Sequence, residues 1–175
     1  MNGKSENCSG VHREKIDSPI GPIQIEADPS RLISVLFETQ DPKFHQWPEN
    51  PNEITRRVAA EIGEYFAGRR TRFTTPLKLS GTEFQKQAWS ALLEIPYGKT
   101  STYGRQAAAI GRPKSVRAIG AASGKNRIGI IVPCHRVIGA NGTLTGYGGG
   151  IERKRWLLDH ERSQSRNRCR RHHGN

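Results

Sequence analysis

The sequence predicts an α+β fold in two parts, a small antiparallel sheet with one helix, then a mostly helical region containing a helix-turn-helix. Three observations carry this. Apolar and polar residues alternate before residue 40, apolar residues recur at helical spacing from residue 50 onward, and the excess charge lies wholly in the second half. The chain has 175 residues, 28 of them Lys or Arg and 16 Asp or Glu. Residues 1–78 carry 11 basic and 11 acidic side chains, residues 79–162 carry 13 and 5, and residues 163–175 carry 4 and none. Such asymmetry points to a polyanionic partner, although a basic surface that only aids solubility gives the same count.

In the first part, Ile16, Ile20 to Ile25 and Leu32 to Phe37 read as strands, with Pro19, Gly21, Asp28 and Pro29 as turn punctuation. Asn50 as cap, Pro51 in the first turn and Glu53 in a capping box predict a helix with Ile54, Val58, Ile62, Tyr65 and Phe66 on its apolar face, ended by Gly68. The stretch Arg69 to Lys78 has neither period and is read as a linker. The expected division is therefore a flexible N-terminus over 1–12, an α/β scaffold over 13–78, a second domain over 79–162 and a basic, disordered tail over 163–175.

The second part opens with Thr82 as N-cap and Gln85 in the capping box, followed by Phe84, Ala88, Leu92 and Ile95 on one helical face. Pro96 and Gly98 stop that helix. Thr102 to Ile110 reads as a short helix closed by Gly111, and Pro113 starts another of about 11 residues that Gly124 ends, so the pair forms a helix-turn-helix. Placing Val116, Ile119, Gly120 and Ser123 inward leaves Arg117, Ala118, Ala121, Ala122 and Lys125 outward. That small, basic face suits close approach to a nucleic-acid groove, and equally suits helix packing through alanines.

Ile128 to Val132 is an apolar run short enough for a buried strand, and it leads into Pro133, Cys134, His135 and Arg136. Asn141-Gly142 is a hairpin signal, and Gly146, Gly148, Gly149 and Gly150 surround Tyr147 in a glycine loop. A last helix runs from Ile151 to Glu161, with Glu161 on the face of Leu157 and so turned inward.

The chemistry centres on Cys134. A thiol becomes a strong nucleophile only on ionising, and His135 with an inward Glu161 supplies the base and orienting group of a Cys-His-carboxylate relay. A buried structural cysteine beside a packing histidine would show the same pair. Cys8, Cys134 and Cys169 are an odd number, widely spaced, which fits a reducing compartment better than a disulfide framework. A cytoplasmic location is expected, since no apolar run is long enough for a membrane span and Met1 to His12 has no signal-peptide core. Cys8 and His12 have a ligand-like spacing without a second pair, and Cys169 with His172 and His173 reads as tail composition, so no metal is expected.

The run IIVPCHRVIGANGTLTGYGGGIERKRWLLDHE, with FQKQAWSALLEIPYGKTSTYG and PKSVRAIGAASGKN before it, closely resembles the O6-alkylguanine-DNA alkyltransferases, densely over residues 80 to 161 and more loosely over 13 to 67. The resemblance implies a ribonuclease H-like first domain and a winged-helix-like second domain that binds DNA and accepts the alkyl group. It implies transfer of a methyl or other alkyl group from the O6 of guanine in double-stranded DNA to Cys134, irreversibly, with no cofactor, by a monomer. It makes His135 and Glu161 partners through a water, Asn126 a hinge bracing the active-site turn, and Tyr103 a contact to the phosphate beside the flipped nucleotide and to guanine N3. Arg117 becomes a finger filling the gap in the base stack. Ala118, Ala121, Ala122, Lys125 and Arg136 are expected on DNA, with the helix-turn-helix in the minor groove. Val137, Tyr147 and Gly148 are expected to shape the guanine pocket. Gly129 and Gly148 depart from relatives carrying proline and serine there, which leaves the preferred alkyl group and O4-alkylthymine open. Three other functions compete. A binding-only relative carries another residue in place of the cysteine, a cysteine hydrolase needs an oxyanion hole, and a transcription factor would carry Pro133 to Arg136 incidentally.

Overall fold

The computed structural model describes residues 10–172. The expected flexible N-terminus falls largely outside them, but its last residue, His12, already opens a strand. Three strands, β1 (His12–Ile16), β2 (Ile23–Ala27) and β3 (Leu32–Phe37), pair antiparallel in the order β1-β2-β3, with a register shift between Glu26 and Ala27. All of β2 is buried, including Gln24 and Glu26. Its sheet is therefore covered on both faces, and α1 (Glu53–Phe66) packs against it.

The cap of α1 lies two residues later than the sequence suggested. Asn52, not Asn50, accepts from the Thr55 amide, and the Thr55 hydroxyl side completes the box. Asn50 is used elsewhere: its side chain accepts from the Arg13 amide and donates to Val11 O, tying the connection to β1. Next come α2 (Glu83–Leu93), capped by Thr82 and Gln85 as expected, the two-residue strand β4 (Ser101–Thr102), α3 (Tyr103–Ala109) and α4 (Val116–Gly124). The short strand β5 (Val137–Ile138) pairs parallel with β4, and α5 begins at Ile151.

Three expectations fail here. Ile128 to Val132 is no strand: it coils through backbone bonds Ile131 N to Gly129 O and Val132 N to Ile128 O, with Ile130 at φ 68. Only Ile128 makes a bridge, parallel to Val35. Asn141-Gly142 makes a tight turn, closed by Gly139 N to Thr143 O, but no second strand pairs with β5. The part of the expected disordered tail that lies within the described residues, 163–172, is helical, since α5 spans Ile151–His172.

Nor is the linker a loose tether. Leu32 N donates to Pro76 O and Lys78 N to Leu32 O, so the linker runs along the free edge of β3. Further along that edge Val35 N donates to Arg127 O and accepts, through its carbonyl, from Gly129 N. One core joins both parts, packing Ile23, Ile25, Val35 and Phe37 with Trp89, Leu92, Val132 and Leu157. Each such side chain contributes roughly 1.5–3 kcal/mol by leaving water. The segment leading to Cys134 is thus anchored on the first domain's sheet edge and is not a strand of its own. Among the described residues no helix is long and apolar enough to cross a membrane.

Candidate active site

Cys134 opens a 3-10 turn, Cys134–Arg136, and is 8% exposed. This tight turn resolves a difficulty of extended backbone, on which neighbouring side chains point apart. Here Cys134, His135 and Arg136 are all buried. Asn126, at the end of α4, holds the turn in place: its Nδ2 donates to Val132 O (2.9 Å) and reaches Cys134 Sγ (3.2 Å), while its Oδ1 accepts from the Ile128 amide (2.9 Å).

Glu161 is fully buried and binds four groups. Its Oε1 accepts from His135 Nε2 (2.9 Å), from the Tyr65 hydroxyl (2.9 Å) and from Arg136 Nη2 (2.9 Å); its Oε2 accepts from Arg136 Nε (2.9 Å) and the Gly98 amide (3.0 Å). The contact to His135 is direct, not through a water. Arg136 also donates to Ile95 O at 2.6 Å. It is therefore spent inside the protein, and its expected place on DNA is corrected: a buried carboxylate needs a buried counter-charge.

The titration of these groups follows from burial. Burial pushes the Cys134 thiol up, opposed by Asn126 and by Lys154. Burial pushes His135 down, opposed by its bond to Glu161. Burial alone would raise Glu161, but the hydrogen bond from His135, with the hydrogen bonds and charge of Arg136, outweighs it and holds the carboxyl well below the usual range. At rest the site is therefore a neutral thiol, a neutral imidazole and a carboxylate. With Nε2 as the donor to Glu161, His135 Nδ1 is the proton-accepting nitrogen, and it is buried with no protein partner among the described residues.

Both low shifts act in the same direction on stability. Between its ordinary value of 6.5 and its depressed folded value, His135 binds a proton only in the unfolded chain, so stability is lost as pH falls from 6.5; Glu161 adds to this below 4.5. Thermal midpoints are expected to decline between pH 7 and 5. A flat profile over that interval would show His135 free to protonate in the fold.

The helix-turn-helix differs from expectation in one rotation. Ile119, Ala122, Ser123 and Asn126 form the buried series, and Ala122 O accepts from Trp89 Nε1 (2.8 Å). Ala122 is thus not on the outward face, and Val116, placed inward from sequence, is 40% exposed. Arg117, Ala118, Ala121 and Lys125 are exposed as expected. Gly120 faces the Tyr103 ring, which a Cβ would meet at 3.9 Å. The Tyr103 hydroxyl donates to Thr145 O (3.1 Å) and so touches the loop after the active-site turn. On that loop the Tyr147 hydroxyl is buried, pushed up by burial and by Cys134. Val137 is fully buried directly after the turn, and Gly148 is exposed beside Gln40.

Two residues escaped the sequence reading. Lys154 is fully buried, donates to Thr145 O (2.7 Å) and lies 5.9 Å from the Tyr103 ring. Its position, three before Leu157 and seven before Glu161, placed it on the inward face of α5. Arg153 joins both domains to the glycine loop, donating to Ile20 O, Thr39 Oγ1 and Gly149 O.

Known proteins resemble this chain along both of its parts. A model described as the DNA-binding domain of 6-O-methylguanine DNA methyltransferase matches residues 83–163, and one described as the ribonuclease-like domain of the same protein matches residues 11–79. The chain belongs to the 6-O-methylguanine DNA methyltransferase family. It is 49% identical over 157 residues to the methylated-DNA–protein-cysteine methyltransferase of Mycobacterium tuberculosis, covering 89% of this chain and 94% of that one. It is 49% identical over 150 residues to the protein of that name from Methanosarcina acetivorans, covering 84% and 96%. The crystal structure of the M. tuberculosis O6-methylguanine methyltransferase superposes with a TM-score of 0.81, over 88% of this chain and 94% of that one.

Proposed function

We propose that this member of the family repairs DNA by taking an alkyl group from the O6 of guanine onto Cys134, once per molecule. The observation that carries the reading is the Cys134 turn, with its thiol held by Asn126 beside a neutral His135 that Glu161 orients. Support comes also from a solved M. tuberculosis relative in complex with DNA, 49% identical with a TM-score of 0.81.

The Cys134 proton passes to His135 Nδ1 through a water, and the resulting imidazolium is stabilised by Glu161. The thiolate attacks the alkyl carbon; the sulfur-carbon bond forms as the carbon-O6 bond breaks, and guanine leaves with the electron pair on O6. The pocket takes the base after it flips out of the stack, because O6 is inaccessible inside a duplex. The Cys134 and Val137 carbonyls accept from the exocyclic amine. Cys134 O already accepts from the Val137 amide, which leaves one lone pair for guanine. To contact guanine N3 or a phosphate, the Tyr103 hydroxyl has to leave Thr145. The chain acts as a monomer in a reducing compartment, which keeps Cys134 as the thiol.

Incubation with a duplex bearing O6-methylguanine, followed by intact mass and peptide mapping, is expected to show one methyl per chain, on Cys134. Methylation at another residue, or none, would overturn the assignment.

The role of Arg117 is tested by charge-conserving replacement. An exposed arginine on a basic face could neutralise one phosphate, worth about 0.9 in the slope of log affinity against log salt, and lysine would serve as well. A guanidinium filling the stack is not replaced by lysine, which lacks its plane. Arg117→Lys is expected to keep the salt slope yet slow single-turnover repair of duplex about as much as Arg117→Ala. Full duplex activity in Arg117→Lys, with a slope reduced by about one unit in Arg117→Ala, would make it a phosphate anchor instead.

A further inference from the structure

The basic C-terminal segment is not used by the chemistry, and it is held in place. Arg168 Nη2 donates to Gly68 O (2.8 Å), Gln164 lies so close to Gly68 that a Cβ there would meet its side-chain oxygen at 2.5 Å, and Ser165 sits closer still against Gly98. Gly68 (φ 72) and Gly98 (φ 73) both adopt left-handed backbone, so both turns call for glycine and thereby leave room for the helix. With Gln164, Ser165 and Arg168 turned toward the protein, Arg162 and Arg166, four residues apart, stand exposed on the other side.

The seating brings a second basic segment alongside. Directly after Gly68 come Arg69 and Arg72, both exposed. Arg72 lines a cleft with Tyr97, and Arg168 lies near enough to Tyr97 to oppose burial, which pushes its hydroxyl up to about 12. Basic groups outnumber carboxylates there. Asp159 is 3.8 Å from Arg162, Glu64 is taken by Arg70 at 2.6 Å, Glu94 lines the same cleft as Arg72, and no acidic residue follows Glu161 in the sequence. Helix-dipole stabilisation does not account for the arrangement, because it acts within the last turn and Arg162 and Arg166 lie before it in a helix that runs to His172.

We propose that Arg162 and Arg166, with Arg69 and Arg72, form a second phosphate-binding surface for the backbone of duplex DNA outside the stretch held by the helix-turn-helix, while Arg168 seats the helix on Gly68. The inference rests on the reading of this chain as a DNA-repair protein. Clustered guanidinium groups repel one another, and a polyanion relieves that repulsion while releasing its own counterions. The surface reads no sequence. It adds non-specific affinity and leaves lesion chemistry to Cys134.

The test is binding of the full chain to undamaged duplexes of ~20 and ~40 base pairs, about two and four helical turns, across a salt series. The variants are Arg162→Gln/Arg166→Gln and Arg69→Gln/Arg72→Gln. Each double variant is expected to lower the salt slope by about 1.8, so that a fourfold rise in salt costs roughly tenfold less affinity than it costs the parent. A change confined to the longer duplex means that one DNA molecule spans both surfaces. Loss of a second short duplex from the complex means that two molecules are held. Arg162→Lys/Arg166→Lys should retain the parental slope, which also controls for misfolding of the glutamine variants. Parental slopes and stoichiometry in all variants, or a lowered melting temperature alone, overturn the proposal while the parent's DNA binding stands. A parent that binds neither duplex overturns the DNA-repair reading as well.

Discussion

Glu161→Gln is expected to destabilise the folded chain by about 3–5 kcal/mol, the usual cost of leaving a buried charge without its partner. The stranded group is Arg136, whose Nε and Nη2 both lie 2.9 Å from the carboxylate. Glutamine keeps the shape but offers one acceptor oxygen to a site that has five donors, and its NH2 faces donors. For a chain of this size the melting temperature should fall by roughly 10 °C. At temperatures where the variant stays folded, transfer should be slower and the pH at which Cys134 reacts should rise, because the imidazolium formed with the thiolate loses its counter-charge. Thermal melts and a single-turnover pH-rate profile separate the two effects. An unchanged profile in a folded variant would leave Glu161 a structural residue and remove it from the relay.

Cys134→Ser should bind alkylated duplex and transfer nothing. Serine fits the space and can accept from Asn126 Nδ2, so the turn survives, but burial already pushes the thiol up and acts on the far less acidic hydroxyl in the same direction. The expected mass spectrum shows unmodified protein after prolonged incubation, beside complete single methylation of the parent. Any repair by the serine variant would disprove the nucleophile.

Much of this was legible in the sequence where a local rule decides the outcome. Thr82 and Gln85 cap α2 because a capping box needs only neighbours, and Glu161 is buried because its spacing from Leu157 fixes its face. Where tertiary contacts decide, the sequence was silent or misleading. Ala122 is buried because it lies three residues after Ile119 and shares its face, and Val116 is exposed as the first residue of α4. Ile128 to Val132 has a strand's composition, but only Ile128 finds an edge to pair with. Arg136 is buried because the 3-10 turn carries three consecutive side chains inward. The helical extension of α5 has almost no apolar residue, and its order comes from contacts with Gly68 and Gly98 that are distant in sequence.

The pairing of Val35 with Arg127 and Gly129 has a consequence for the order in which the molecule assembles. These partners lie in opposite halves of the chain, and closing so large a loop costs entropy before any contact rewards it. During synthesis the sheet and then the linker that pairs with Leu32 emerge first, and Val35 on the same edge has to wait for the residues leading to Cys134 to arrive. The reactive centre is therefore among the last parts to acquire its shape. Hydrogen exchange during refolding would register this as late protection of the Gly129 amide, after those of β2 have already closed.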